Sequence, residues 1–395
     1  MITATNRLEY FQPDSFAIDK PANEYRIFCI GGSTVQGRPY AIETSFTTWL
    51  ELALQAADSS THWEVVNCGG VSYASYRLVP IIQELLGYEP DLIILYTGHN
   101  EFLEDRSYKL ARETPGFVAD SYRKLGRLKT LEYLHWQIAG DADDKDTGTR
   151  KETLTTEVQA LLDYRGGLEI YHRDPQWRRS IVEHFEFNLR RMIEMVNQAG
   201  VPIMIADPPV NLIDCPPFKS ERLTSLAKSE SSRLNQLIRQ ANDASQPDVD
   251  LLIELLEQAA EIDPGHAGIH FQLGSHYADS GRFEAASRHF QIACDEDICP
   301  LRITTPLVEV LRDVTTETET PRIEVRRKFE ELSEGGIPGD NLLFDHVHPS
   351  FRGHQMIAIE IVKTMETLKM VNPMESWEAE REKLFRQHWD SLDPI

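Results

Sequence analysis

The chain has 395 residues and a formal charge of −23, because 63 acidic residues stand against 40 lysines and arginines. Nucleic acids and anionic membranes bind cationic surfaces, so this charge argues against both as partners. A hydrophobic content of 41% and a charged content of 26% are typical of a globular protein and exclude the disordered and fibrous classes. No apolar run approaches the roughly 20 residues of a membrane helix.

Short apolar runs alternate with amphipathic stretches from residue 25 onward, which is typical of strands that pair in parallel through helices. Each predicted strand ends in glycine or in loop-forming residues. Because ligands of open parallel sheets bind outside the carboxyl ends of the strands, we expect the functional site there. The pattern predicts strands at 26–30, 64–67, 91–96 and 202–206, and helices at 45–57, 75–86 and 178–198.

Residues 102–177 interrupt this alternation with a long polar and aromatic insertion. Long insertions are usually solvated loops with surface helices, and this is the interpretation we favour. A lid or a cap on the substrate side is the functional alternative.

Cysteines and histidines give no metal signature. The five cysteines are few and odd in number, which disfavours a disulfide framework, and they include no C-x-x-C pair, which disfavours a zinc or redox site. His184, His289 and His346 have no spacing typical of metal ligands. The sequence therefore predicts neither a metal nor an organic cofactor.

A different period follows residue 250. The segment 270–300 resembles the tetratricopeptide pattern of two antiparallel helices, with His270 in the place of the usual tryptophan, and residues 251–262 resemble the closing helix of a preceding repeat. Since about three repeats are usually needed for a stable solenoid, we expect this unit to pack against the rest of the protein. A purely structural hairpin and a groove for a protein partner both remain open.

Four short segments place small or polar residues at predicted strand ends or in loops. They are Gly31-Gly32-Ser33-Thr34, Asn67-Cys68-Gly69-Gly70, Gly98-His99-Asn100-Glu101 and Asp345-His346-Val347-His348-Pro349. Their combination resembles the SGNH (GDSL-type) hydrolase family, whose four blocks supply a nucleophilic serine, a glycine, an asparagine and a histidine. The resemblance implies a flavodoxin-like three-layer α/β sandwich with a parallel sheet, plus the tetratricopeptide-like hairpin as an insertion.

The resemblance also assigns a catalytic triad, with Ser33 as the nucleophile, His348 as the base and Asp345 as the residue that orients the base. A serine hydroxyl is a weak nucleophile until a positioned base accepts its proton. A spacing of three residues lets a turn bring the carboxylate of Asp345 and the imidazole of His348 together. The implied activity is ester hydrolysis through an acyl-enzyme on Ser33.

The resemblance assigns the oxyanion hole to the Ser33 amide, the Gly70 amide and the Asn100 side chain. Donors at these positions would stabilise the negative charge that develops on the carbonyl oxygen during acyl transfer. Two residues depart from the family pattern: Gly32 stands where aspartate is usual, and so does Glu101. Both flank the chemistry rather than perform it.

The substrate hypotheses are less specific. A carbohydrate or short-chain acyl esterase acting on a small-molecule or carbohydrate ester comes first; an O-acyltransferase with the same triad, or a non-catalytic scaffold that binds a protein partner through the repeat-like unit, is the alternative. Arg173 and Lys219 lie in predicted loops rich in functional side-chain types and are candidates for binding an acidic substrate. Solvated loop charges are the favoured interpretation of both.

The domain organisation follows from these segments. We expect a first hydrolase part at 22–249, the helical insertion at 250–300, a second hydrolase part with the Asp-His block at 301–370 and a C-terminal helical tail at 371–395. The printed sequence predicts a cytoplasmic protein. A periplasmic or membrane-tethered location is the alternative, since relatives implied by the resemblance often carry an N-terminal anchor.

Overall fold

The structure is a computed structural model that describes residues 1–103, 167–242 and 248–392. Within these ranges five strands form one parallel sheet in the order β2-β1-β3-β4-β5. The strands are β1 (Glu24–Gly31), β2 (His62–Gly69), β3 (Leu92–Tyr96), β4 (Ile203–Ala206) and β5 (Arg322–Ile323). The α-helices are α1 (Ser33–Gln36), α2 (Phe46–Ala57), α3 (Ser75–Leu85), α4 (Pro175–Gln198), α5 (Lys228–Asn242), α6 (Val249–Ile262), α7 (Ala267–Asp279), α8 (Phe283–Asp295), α9 (Thr305–Glu317), α10 (Val325–Glu331), α11 (Phe351–Thr367) and α12 (Trp377–Ser391).

The predicted parallel α/β architecture is confirmed, and each of the four predicted strands overlaps an observed one. The strand β5 escaped prediction because two residues are too few to show any periodicity. Most of the predicted insertion 102–177 lies outside the described residues. None of the helices in the described ranges is long and apolar enough to cross a membrane.

Alternate residues of the central strand β1 enter two different apolar layers. Phe28 and Ile30 pack on the side of α3 and α4, while Ile27 and Cys29 pack on the side of α2 and α11. A strand that is covered on both faces must be apolar at consecutive positions, as β1 is. This burial fixes the positions of β1 and β3, and therefore the points at which the loops after them begin.

The helices α7 and α8 form an antiparallel pair that belongs to the first of these layers. Leu273 and Phe290, one from each helix, lie in the same apolar cluster as Phe28 of the sheet. The pair approaches closely because Gly274 has no side chain; a Cβ there would lie 2.7 Å from the ring of Phe290. The expected packing of this unit against the rest of the protein is therefore found.

The strand order places a topological switch point between β1 and β3, the flavodoxin-like arrangement. After β1 the chain enters α2 on one side of the sheet, and after β3 Phe102 packs on the other side, so the loops after β1 and β3 diverge and open a crevice. Ser33 follows β1, and Asn100 follows β3. The fold thus brings two of the predicted site residues to the edge where such sheets bind ligands.

Candidate active site

Ser33 lies at the start of a single helical turn directly after β1. The turn α1 is four residues long and ends at Gly37, whose φ of 101° an L-residue rarely adopts. It packs tightly on β2, since a Cβ at Gly69 would lie 2.0 Å from the Gln36 nitrogen. One turn has only a small dipole, so its direct contribution is the placement of the Ser33 side chain.

The side chains of Asp345, His348 and Ser33 form a continuous chain of hydrogen bonds. The His348 Nδ1 lies 2.7 Å from the Asp345 Oδ2, and the His348 Nε2 lies 2.7 Å from the Ser33 Oγ. The second oxygen of Asp345 accepts the backbone N–H groups of Val347 and His348, both at 2.9 Å. The turn therefore fixes the carboxylate on the imidazole, and the imidazole on the hydroxyl.

The electrostatics of the turn favour an ionised carboxylate. Burial alone would raise the pKa of Asp345, but the hydrogen bond and charge of His348 and the two backbone amides hold the pKa well below its usual range. An Nδ1–H that donates to this carboxylate leaves Nε2 of a neutral imidazole as an acceptor for the hydroxyl proton of Ser33. For His346, burial is the main cause that lowers the pKa to about 4.

The loop after β4 holds the Asp-His turn in place. The Asn211 N–H donates to the His346 carbonyl at 3.0 Å, and the Asn211 side chain donates to the Asp340 Oδ1 at 2.8 Å. Downstream, the Ser350 hydroxyl accepts the Gly353 N–H at 3.2 Å and so caps α11. Asn211 had no sequence signal beyond its place in a polar loop.

Asn100 reaches the space beside Ser33 because Gly32 leaves room for it. A Cβ at Gly32 would lie 2.6 Å from the Asn100 Nδ2. One N–H of this amide donates to the Tyr73 carbonyl at 3.1 Å, which fixes the orientation of the group and leaves the second N–H available. The glycine that departs from the family pattern is thus matched to the position of Asn100.

The Gly70 N–H, which was predicted to be an oxyanion donor, already donates a hydrogen bond within the protein. It donates to the Gly31 carbonyl at 2.9 Å, as a continuation of the β1–β2 ladder. A different amide in the same loop has an unusual geometry: Ser72 has a φ of 61°, which is rare for a residue with a side chain. Within the described ranges the Ser72 N–H has no backbone acceptor, whereas the amides of Val71 and Tyr73 on either side do.

Glu101 is a structural residue. Its side chain is fully buried and accepts the Ser75 N–H at 2.9 Å and the Ser75 hydroxyl at 2.8 Å, at the first turn of α3. Burial raises the pKa of Glu101 to about 7. The carboxylate ties the start of α3, which follows β2, to the loop after β3.

Arg173 and Lys219, the candidates for binding an acidic substrate, both have partners within the protein. Arg173 donates to the Glu296 carboxylate at 2.7 Å and to the Gly265 carbonyl at 2.6 Å. Lys219 donates to the Tyr171 carbonyl at 2.5 Å and pairs with the Glu221 carboxylate at 3.0 Å. Both charges thus have partners within the protein: Arg173 connects its loop to the segments that flank α7 and α8, and Lys219 connects its loop to the segment before α4.

An exposed aromatic group lies beside the Asp-His turn. Phe344, which directly precedes Asp345, is 57% exposed and contacts Tyr40 edge-on at a centroid distance of 5.7 Å. Tyr40 stacks on Phe351 at 3.9 Å, and Phe351 contacts Trp389 at 4.9 Å. A surface cavity of about 370 Å³ adjoins Tyr40 and Gln36 of the α1 turn. Sequence patterns do not show this group, because its members come from three distant segments.

The described residues include one group of His, Cys, Asp and Glu side chains close enough to hold a metal ion together: Asp345, His346 and His348. Their ligand atoms lie within 4.8 Å of one another. Spacing in the sequence gave no reason to place His346 in such a group, and this group shares two residues with the triad.

Comparison with known proteins gives similarity at the level of solved structures. No protein-family model matches the chain, and no curated protein matches it. Similar structures include an acetylxylan esterase from Geobacillus stearothermophilus, with 12% identity, a TM-score of 0.40 and coverage of 88% of this chain and 95% of that one. A lipase/acylhydrolase from Enterococcus faecalis has 13% identity, a TM-score of 0.39 and coverage of 89% and 99%. An alpha/beta hydrolase from the metagenome of Lake Arreo, Spain, has 11% identity, a TM-score of 0.39 and coverage of 87% and 95%.

Proposed function

We propose that this chain is a serine esterase that forms an acyl-enzyme on Ser33. The observation that carries the proposal is the pair of 2.7 Å contacts that His348 makes, one to the Asp345 carboxylate and one to the Ser33 hydroxyl. A base held between a carboxylate and a hydroxyl is the arrangement that activates a serine.

In the first half of the reaction, the Ser33 Oγ attacks the ester carbonyl while its proton passes to the His348 Nε2. The imidazolium that results is stabilised by the Asp345 carboxylate. The same proton then goes to the leaving alkoxide, which departs as the alcohol. Collapse of the tetrahedral intermediate leaves the acyl group on Ser33.

In the second half, His348 takes a proton from water, and the hydroxide attacks the acyl carbon. Breakdown of the second tetrahedral intermediate returns the proton to the Ser33 Oγ and releases the carboxylic acid. Water and ester are the only reactants that this scheme consumes.

The oxyanion donors in this proposal are the Ser33 amide, the free N–H of Asn100 and the Ser72 amide. The Ser33 amide belongs to the first turn of α1, whose leading N–H groups have no acceptor within the helix. Ser72 replaces Gly70 in the assignment because the Gly70 N–H is already bonded to Gly31. One such donor is worth about 3 to 4 kcal/mol in the transition state.

The alcohol side of the substrate is proposed to be a sugar. The exposed ring of Phe344 beside the triad suits the C–H groups of a sugar ring, which carry partial positive charge toward the negative π face. The adjoining cavity of about 370 Å³ also contains Glu9, Gln12 and Arg38, which are able to hydrogen-bond to hydroxyl groups. A carbohydrate ester with a short acyl chain is therefore the proposed substrate.

Hydrolysis of 4-nitrophenyl acetate, with and without a xylo-oligosaccharide as acceptor, tests the proposal. The expected result is release of acetate that Ser33→Ala abolishes. Acetylated sugar in place of acetate would identify an O-acyltransferase. Absence of both products from a folded preparation, in an assay in which a standard serine esterase is active, would contradict an enzymatic function.

A further inference from the structure

We propose that Asp345, His346 and His348 bind Zn²⁺ and that this binding inhibits the enzyme. The inhibition rests on the proposed function, whereas the binding itself does not. The site would take a borderline transition-metal cation, because two imidazoles and one carboxylate suit Zn²⁺ and similar ions better than Mg²⁺ or Ca²⁺, which prefer oxygen ligands.

The geometry of the turn is already close to that of a metal site. The Asp345 Oδ1 lies 3.4 Å from the His346 Nδ1, and the Asp345 Oδ2 lies 2.7 Å from the His348 Nδ1. In a tetrahedral zinc site with bonds of about 2.0 Å, neighbouring ligand atoms are roughly 3.3 Å apart. One ligand atom from each of the three residues lies within 4.8 Å of the others, so side-chain movements of the order of 1 to 2 Å would bring the three into a coordination sphere, with water as the fourth ligand.

His346 is held where it is needed by contacts outside the triad. Its carbonyl accepts the Asn211 N–H, and its ring contacts Phe218 edge-on at a centroid distance of 5.2 Å. The rings of His346 and His348 are nearly perpendicular, at 87°, with their centroids 5.8 Å apart. Its side chain is 23% exposed, so an ion from solvent is able to reach it.

Coordination would remove the catalytic base without releasing a proton. When zinc takes the His348 Nδ1 lone pair, the proton of that nitrogen moves to Nε2, and the imidazole stays neutral. The protonated Nε2 then donates a hydrogen bond to the Ser33 Oγ and is no longer able to accept the proton of the hydroxyl. Asp345 exchanges its hydrogen bond for a bond to the metal, so the triad is held in the wrong tautomer.

Direct binding is tested on Ser33→Ala, which has no esterase chemistry to lose. Calorimetric titration with Zn²⁺ is expected to show one site per chain whose dissociation constant rises at least tenfold in Ser33→Ala/His346→Ala. His62→Ala in the same background is the matched control, since His62 is an exposed histidine beside Glu24 at the opposite end of the sheet. Equal zinc affinity in the Ser33→Ala protein with and without His346 would overturn the site.

Inhibition is tested on the active enzyme, with each variant compared with its own zinc-free rate. The zinc concentration for half-inhibition is expected to rise at least tenfold in His346→Ala and to stay unchanged in His62→Ala, and Mg²⁺ at the same concentrations should not inhibit. An active wild-type enzyme that zinc does not inhibit would refute the proposal. If no esterase activity is found, the proposed function fails, while the calorimetry still decides the binding site.

Discussion

Two histidines in this molecule, His348 and His270, have different partners on their ring nitrogens. In the Asp-His turn, the two nitrogens of His348 contact a carboxylate and a hydroxyl. In the α7–α8 pair, the His270 Nδ1 lies 3.0 Å from the His289 Nδ1, and the His270 Nε2 donates to the Pro264 carbonyl at 3.0 Å. His348 thus contacts the Ser33 hydroxyl, whereas His270 contacts a backbone carbonyl.

The contrast shows that the partner of the second ring nitrogen decides what a histidine does. Since a carbonyl only accepts, neutral His270 carries its proton on Nε2, and its Nδ1 accepts the Nδ1–H of His289. His270 thus has protein partners on both ring nitrogens, and its bond to His289 stabilises the contact between α7 and α8. His348 instead offers an acceptor to a hydroxyl that faces the crevice.

The largest expected effect comes from breaking the triad. His348→Ala should lower kcat by about 10⁴- to 10⁶-fold without unfolding the protein, because within the described ranges His348 is the base that contacts the Ser33 hydroxyl. His346→Ala should cost tenfold or less, and Asp345→Asn should fall between the two. Steady-state kinetics on the three variants, with circular dichroism as the folding control, measures this. An inactive His346→Ala beside an active His348→Ala would mean that the base is the other histidine.

A smaller loss of activity is expected from moving Asn100. Gly32→Ala places a methyl group 2.6 Å from the Asn100 Nδ2 and so displaces the amide, which should lower kcat by about 10- to 100-fold. Asn100→Ala removes the donor itself and should lower kcat by about 10²- to 10³-fold. Gly87→Ala is the matched control, because a Cβ at Gly87 meets nothing within 4 Å. Full activity of Gly32→Ala would show that Asn100 is not an oxyanion donor.

Breaking the buried pair of His270 and His289 should lower the stability of the fold and leave kcat unchanged. His270→Ala removes a buried ring and leaves the His289 Nδ1–H without its acceptor, which should cost about 1 to 3 kcal/mol of unfolding free energy. Urea unfolding measures the loss, and kcat of the folded variant should stay within twofold of wild type. A large fall in kcat at unchanged stability would instead connect the helical pair to the active site.

The last expected effect, absent at neutral pH, is a change in the pH dependence of stability. Burial, with a lesser contribution from the nearby His270, lowers the pKa of His289 to about 4. The unfolded chain therefore binds a proton more readily than the folded protein between about pH 6.5 and 4, and stability is lost as the pH falls through this range. His289→Phe removes that loss, so the unfolding free energy of wild type should fall faster, by up to about 1.4 kcal/mol per pH unit. Parallel pH profiles of the two proteins would contradict the lowered pKa.

Local signals in the sequence were sufficient for four of the five strands and for the proximity of Asp345 and His348. A strand buried on both faces is apolar at consecutive positions, and Asp345 and His348 are joined by one turn, so both can be seen without knowledge of distant contacts. The position of Ser33 after β1 follows from the same reasoning. These are the parts of the fold and site in which neighbours in sequence are also neighbours in space.

The errors and omissions concern contacts between distant segments. The Gly70 amide was assigned without the knowledge that Gly31 accepts its N–H, and the positive φ of Ser72 has no signal in a residue type that usually avoids it. Arg173 finds its carboxylate 123 residues away, at Glu296. Charged and polar residues in loops take their roles from such partners, and only the fold supplies them.

The central claim is that Ser33 is acylated, and mass spectrometry of the protein after treatment with a serine-directed phosphonate tests it most directly. The account predicts one phosphonyl group per chain, on the peptide that contains Ser33, and at least 100-fold slower labelling in His348→Ala because the hydroxyl then keeps its proton. Labelling of another residue, or no labelling of a preparation that hydrolyses esters, would contradict it.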